Sequence, residues 1–153
     1  MSKAISNPPP GAAEATQPAA RQTQVAALCL RENDEGSREV LLITSRGTGR
    51  WIVPKGWEID GLSPSEAALQ EAWEEAGVKG SATSDQPIGF FDYDKWLDED
   101  TNAPIQAQVF KISVEKLARK YPESGQRRRK WFSPEKAARK VQEPQLQKLL
   151  KKL

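Results

Sequence analysis

The sequence predicts an α/β (α+β) domain, a mixed β-sheet covered by helices. Three observations carry that prediction. Short runs rich in β-formers recur, first Gln24–Arg31 (QVAALCLR) and then Glu39–Arg46 (EVLLITSR). Ser-Pro signatures at Ser63-Pro64 and Ser133-Pro134 open two helical stretches between and after such runs. The chain has 153 residues, enough for one domain with its own core.

The first 22 residues are small, polar and Pro-rich (NPPPGAAEATQPAA), and are expected to be a flexible tail. They lack the apolar stretch of a secretory signal. The folded domain is expected over 23–153. Gln24–Arg31 and Glu39–Arg46 read as strands joined by the polar turn ENDEGSR. Trp51–Val53 reads as a short strand before the loop Pro54-Lys55-Gly56. Ser63 can cap the next helix, Pro64 suits its first position, Glu66 completes a capping box, and Gly77 suits its end. Ile88–Tyr93 and Ile105–Val114 read as strands around the acidic turn Leu97–Asn102, and Arg128–Phe132 as another short strand. A C-terminal helix starts at Ser133-Pro134-Glu135 and is expected to break at Pro144. The predicted order is β-β-β-α-β-β-β-α.

Composition excludes several chemistries. There is no histidine, so Ser-His and Cys-His triads and imidazole metal ligands are ruled out. The single cysteine, Cys29, rules out an internal disulfide and a Cys-rich zinc site, and reads as a small buried hydrophobe. No apolar run approaches the ~20 residues of a membrane span, and a cytoplasmic location is expected. Catalysis must rest on carboxylates, Lys, Tyr or a cation held by oxygen, with Mg²⁺ or Mn²⁺ favoured. Charge is divided along the chain. Residues 1–110 hold 9 Lys+Arg against 17 Asp+Glu, and residues 111–153 hold 14 against 4. Folding can therefore bring a cation-holding surface next to an anion-holding one.

Glu71, Glu74 and Glu75 fall within about 100° of helical arc, with Leu69, Ala72, Trp73 and Ala76 nearly opposite. Like charges at this spacing repel, by a few tenths of a kcal/mol per pair, about. No Lys or Arg in the helix offsets them. Solvent or a bound divalent cation would. The strand and Gly-containing loop in front of the helix supply backbone beside the carboxylates.

The segment GRWIVPKGWEIDGLSPSEAALQEAWEEAGVKG resembles the Nudix box, the signature of hydrolases that cleave a nucleoside diphosphate linked to another moiety. The family pattern G-x5-E-x7-R-E-U-x-E-E-x-G-U aligns with Gly56 at its start, then Glu71, Glu74, Glu75, Gly77 and Val78, over 23 positions. Leu62 stands where the pattern has its first Glu, and Gln70 where it has Arg. In the family that Arg commonly pairs with that Glu. Loss of both partners together reads as replacement of a structural ion pair. QVAALCLR, EVLLITSRGTGRWIVPKG, EEAGVKG and RRRKWF are further similar to the diphosphoinositol polyphosphate phosphohydrolases.

The resemblance implies a Nudix-type α/β/α sandwich with a mixed sheet. It implies Glu71, Glu74 and Glu75 as catalytic residues and, with Gly56, as holders of Mg²⁺ or Mn²⁺. It implies Arg46, Arg50, Lys55, Arg127 and Arg129 as the grip on an anionic substrate. Strand alternation places Arg127 and Arg129 on one face and Arg128 and Lys130 on the other. The expected reaction is hydrolysis of a pyrophosphate bond in a diphosphoinositol polyphosphate or dinucleoside polyphosphate. The candidate base is Glu75 or an acid of the Leu97–Asn102 loop. Glu58 or Asp60 could substitute in part for the missing acid at Leu62. The expected partner is a small-molecule polyphosphate, with no membrane, and the chain is expected to be a monomer or homodimer. The rival readings are a non-catalytic Nudix-fold module that binds polyphosphate, and an RNA-binding protein. RRRK prompts the second, but interleaved aromatics on a sheet face are lacking.

Among the aromatics, Trp51, Trp131, Phe90, Phe91 and Tyr93 read first as packing residues. Trp57 can either pack or narrow the pocket.

Overall fold

A computed structural model describes residues 22–153. The expected tail lies outside these residues, apart from Gln22, which opens the first strand. In chain order the elements are β1 (Gln22–Glu32), β2 (Arg38–Thr44), β3 (Trp51–Ile52), β4 (Lys55–Trp57), α1 (Pro64–Ala76), β5 (Val78–Ala82), β6 (Gly89–Trp96), β7 (Asn102–Leu117), β8 (Arg129–Phe132), α2 (Pro134–Lys140) and α3 (Pro144–Lys151). The expected strands and helices are present, and Pro144 does separate two helices. β4 and β5 are additional. Neither KGW nor VKGSA has an apolar alternation. Both are strands because longer neighbours pair with them.

The eight strands form one mixed sheet. β1 and β7 run parallel at its centre, from Gln22 beside Ile105 to Leu30 beside Ser113. The outer edge of each is shared by two partners. β1 pairs antiparallel with β4 over Gln24–Ala26 and with β2 over Leu30–Glu32. β7 pairs antiparallel with β6 along its first half and with β5 along its second. β3 and β8 both pair with β2.

Alternation along β1 and β2 feeds two cores. Val25, Ala27, Cys29, Leu41 and Ile43 point to one side, where Ala67, Ala68, Ala72 and Ala76 of α1 cover them. Ala26, Leu28, Leu30, Val40 and Leu42 point to the other side, where Ala137, Ala138, Leu146 and Leu150 of α2 and α3 cover them. Helix, sheet and helix therefore stack as three layers. Alanines on α1 let that helix lie close to the sheet. Burial of each large aliphatic side chain contributes roughly 1.5–3 kcal/mol. Among the described residues no helix is long and apolar enough to cross a membrane.

The limits of α1 were legible in the chain. The Ser63 side chain accepts from the Glu66 N–H, and the Glu66 carboxylate accepts from the Ser63 N–H at 2.8 Å, closing the capping box. Gly77 ends the helix in the left-handed region, φ 70°. Arg129 Nη1 donates to the Ala76 carbonyl at 2.7 Å, satisfying an end group of the helix. A Cβ at Gly77 would stand 2.5 Å from the Tyr121 ring and 2.7 Å from Arg129. Gly77→Ala therefore adds a steric clash to left-handed backbone strain of about 1–2 kcal/mol. We expect a lower urea midpoint with an unchanged slope, read by circular dichroism.

Candidate active site

The α1 carboxylates meet the β4 loop. β4 is held against the start of β1, with Gly56 opposite Val25, and α1 packs on the same side of the sheet. Gly56 is needed because Glu71 lies so close. A Cβ built there would fall 2.4 Å from the Glu71 Cδ and Oε1. One turn on, Glu75 Oε1 accepts from the Lys55 N–H at 3.3 Å, and Glu75 is only 8% exposed. Glu71 and Glu75 thus stand side by side against the loop.

They share a cavity of about 550 Å³ with Arg46, Lys55, Gly56 and Arg127 from the expected site. Trp57, Glu58, Tyr93 and Lys95 also line it. Arg127 is anchored within it. Its Nε donates to Glu123 at 2.9 Å, its Nη1 to the Thr44 carbonyl at 3.2 Å, and its Nη2 lies 3.9 Å from Glu75. Lys55 Nζ sits 5.0 Å from the centre of the Tyr93 ring. The Tyr93 hydroxyl donates to Gln24 Oε1.

Three expected site residues do not line this cavity. The Glu74 carboxylate accepts from Gln70 Nε2 at 2.8 Å, and its charge still acts on Glu71. Arg50 turns to Glu143, 3.1 Å away, in an adjoining cavity. Arg129 caps α1 and stacks 4.9 Å from the centre of the Tyr121 ring. The expected alternation of the RRRK run is present. Arg127 and Arg129 turn to α1, whereas Arg128 lies over Trp51 and Lys130 over Phe132. The two neutral box positions leave no buried charge behind, since Leu62 is 40% exposed and Gln70 serves Glu74.

Asp98 accepts from the Asp100 N–H within its own turn, and none of Asp98, Glu99 and Asp100 lines the cavity. Asp60 is exposed and also outside it. Trp57 is at the cavity wall and 42% exposed. Phe91 is core, while Phe90 is exposed. Trp51 packs edge-on to Phe132 at 5.1 Å, and Trp131 packs against the α1-side core. Buried Cys29 has its thiol pushed up to about 12 by desolvation.

Lys95 and Glu123 had no signal of their own in the sequence. Lys95 could have been found from Tyr93, two residues earlier on the same strand. Glu123 lies in an irregular segment whose position depends on α1, because its N–H donates to the Glu74 carbonyl.

Electrostatics mark Glu71 and Glu75 as a stressed pair. Burial first, and then the neighbouring Glu75 carboxylate, hold the Glu71 carboxyl up at about 8. Burial also raises Glu75, against the pull of Arg127 and the Lys55 N–H. Burial lowers the Lys55 ammonium to about 8. Among the described residues no three acidic side chains converge closely enough to enclose an ion. The Glu71–Glu75 pair beside the Gly56 backbone is still an all-oxygen donor set. Its mutual repulsion is relieved only by a proton or a cation. That chemistry fits a hard divalent cation whose remaining ligands come from water or phosphate.

The sign of the pH dependence follows. The unfolded Glu71 carboxyl ionises near 4.5 and the folded one near 8. Between these values the folded state holds a proton that the unfolded state has released, so stability falls as pH rises. Lys55 acts in the opposite sense and only above about 8. In chelator, we expect the thermal midpoint to fall from pH 5 to pH 8, and Glu71→Gln to flatten the fall. Differential scanning calorimetry measures both.

Comparison with known proteins identifies the family. The NUDIX domain pattern matches residues 22–153. Diphosphoinositol polyphosphate phosphohydrolase 3-alpha of Mus musculus is 34% identical over 122 residues, covering 78% of this chain and 68% of the mouse protein. Diphosphoinositol polyphosphate phosphohydrolase 2 of Homo sapiens is 33% identical over 122 residues, covering 78% and 62%. The crystal structure of a C. elegans Ap4A hydrolase binary complex superposes with a TM-score of 0.59 at 21% identity, covering 86% of this chain and 93% of that one. The chain belongs to the Nudix family and is one of its pyrophosphohydrolases.

Proposed function

We propose that this protein hydrolyses a pyrophosphate bond in a polyphosphorylated small molecule and depends on Mg²⁺ or Mn²⁺ to do so. The observation that carries the proposal is the Glu71–Glu75 pair pressed against Gly56 in a cavity that also holds four cationic side chains. Arg46, Lys55, Lys95 and Arg127 bind phosphate oxygens. The Arg127 guanidinium is held by Glu123 and Thr44, so its planar fork is aimed before substrate arrives. Glu71 and Glu75 would hold the divalent ion. When bound, it neutralises charge on the phosphates and makes water easier to ionise. Glu75, or Glu58 at the cavity wall, would take a proton from the attacking water. Trp57 narrows the mouth and limits water around the phosphates.

Two substrate classes fit the basic cavity, diphosphoinositol polyphosphates and dinucleoside polyphosphates. The relatives' names favour the first. The adjoining cavity of about 670 Å³ favours the second, because Asp92, Asp94 and Trp96 line it and Trp96 is 64% exposed. Carboxylates disfavour a ring bearing phosphate at many positions, while an open indole can stack on a nucleobase.

Two tests follow. Glu75→Gln should reduce Mg²⁺-dependent turnover by about 10²–10⁴-fold, the range of a lost acid-base group. Gly56→Ala should also lose turnover, with the far-ultraviolet spectrum of each variant unchanged. Product chromatography measures the loss, and normal turnover by Glu75→Gln would remove the assignment. With diadenosine polyphosphates, Trp96→Ala should raise KM about tenfold, in line with the loss of one stacked base. With diphosphoinositol polyphosphate, its KM should not change.

A further inference from the structure

The C-terminal basic block has a use that the catalytic cavity does not absorb. A second cleft, of about 540 Å³, lies between the end of β8 and α2. Lys130 from β8 and Lys136, Arg139 and Lys140 from α2 line it, with one carboxylate, Glu39. Glu39 is already neutralised, since Arg31 Nη2 and Nε approach its Oε1 at 2.8 and 2.9 Å. Arg31 is itself fixed 4.1 Å from the centre of the Trp131 ring. Among the described residues no ion pair neutralises any of the four cations lining the cleft.

Their placement concentrates charge. Lys136, Arg139 and Lys140 are three and four residues apart, so they share one face of α2 and repel one another. The opposite face, with Ala137 and Ala138, is buried in the core, so the helix cannot turn to separate them from Lys130. Lys136 is in the first turn, where the helix dipole disfavours a cation. A multiply charged anion in the cleft would relieve all of these terms. The cleft is almost as large as the catalytic cavity but has no carboxylate pair to hold a divalent ion. It can bind such an anion but cannot cleave it by the catalytic chemistry. Lys130 is three residues from Arg127, about 10 Å along an extended chain. Its side chain turns to the face of the sheet opposite Arg127.

We propose that the cleft is a second, non-catalytic binding site for a compact, multiply charged phosphate anion. Trp131, Phe132 and Ser133 complete the lining.

The test is a titration of the ¹⁵N-labelled full chain with sodium tripolyphosphate, at low ionic strength and in chelator, followed by amide NMR. We expect saturable shifts across 130–140, separate from those across 45–57. The variant Lys136→Gln/Arg139→Gln/Lys140→Gln should weaken the first set at least tenfold and leave the second set and metal-dependent turnover unchanged. Lys130→Gln should weaken the same set from a different element. Amides elsewhere report that each variant is folded. The proposal is overturned if 130–140 do not shift saturably, or if sulfate shifts them equally. It is also overturned if a 5′-hydroxyl RNA dodecamer binds there more tightly than tripolyphosphate. Absence of turnover would instead count against the function proposed above, and is read separately from these shifts.

Discussion

β1 carries apolar residues on both of its faces, and everything else is arranged around that fact. A strand with one wet face could pack one helical layer. Val25, Ala27 and Cys29 on one side, and Ala26, Leu28 and Leu30 on the other, are all buried, so β1 requires cover on both sides. α1 supplies one cover, and α2 with α3 supplies the other. The same strand also serves the site. Its first residues pair with β4, which fixes the Lys55–Gly56 backbone on the side of the sheet that α1 occupies. The α1 helix and the loop it presses against are registered through one central strand.

The cavity formed there is organised by an electrostatic conflict. Glu71 and Glu75 are like charges, partly out of water; burial first and then Glu75 raises the proton affinity of Glu71, and burial raises that of Glu75. Arg127 and Lys55 offset only part of this, because Arg127 is engaged mainly with Glu123. Such a pair would favour a bound cation. It also has Arg46, Lys55, Lys95 and Arg127 around it, which attract an anion. A divalent ion together with a polyphosphate satisfies both demands at once, and neither alone does so.

The two cationic cavities show why charge alone does not define the reaction. Both are basic and both are similar in size. Only one places a carboxylate pair next to backbone with no Cβ in the way. That close approach at Gly56 is what distinguishes the α1 cavity from the α2 cleft.

The sequence by itself determined the strands of the central sheet, the ends of α1 and the family. These are readable because their causes are local: apolar alternation, a Ser-Pro-x-Glu capping box, a glycine that accepts left-handed φ, and fixed box spacing. It also grouped Glu71 with Glu75, which line one cavity with Lys55 and Gly56, because i and i+4 on a helix share a face whatever the surroundings. Helical arc grouped Glu74 with the same face, but could not show that its carboxylate accepts from Gln70. Nor could a run of arginines show that Arg127 enters the cavity while Arg129 caps α1. Arg50 met Glu143, 93 residues away, and Lys95 reached the cavity from a strand that pairs with β7. β4 and β5 became strands only because β1 and β7 offered them open edges. Those outcomes belonged to the tertiary structure, because a long polar side chain or a short polar strand takes its place from whichever partner the fold brings near.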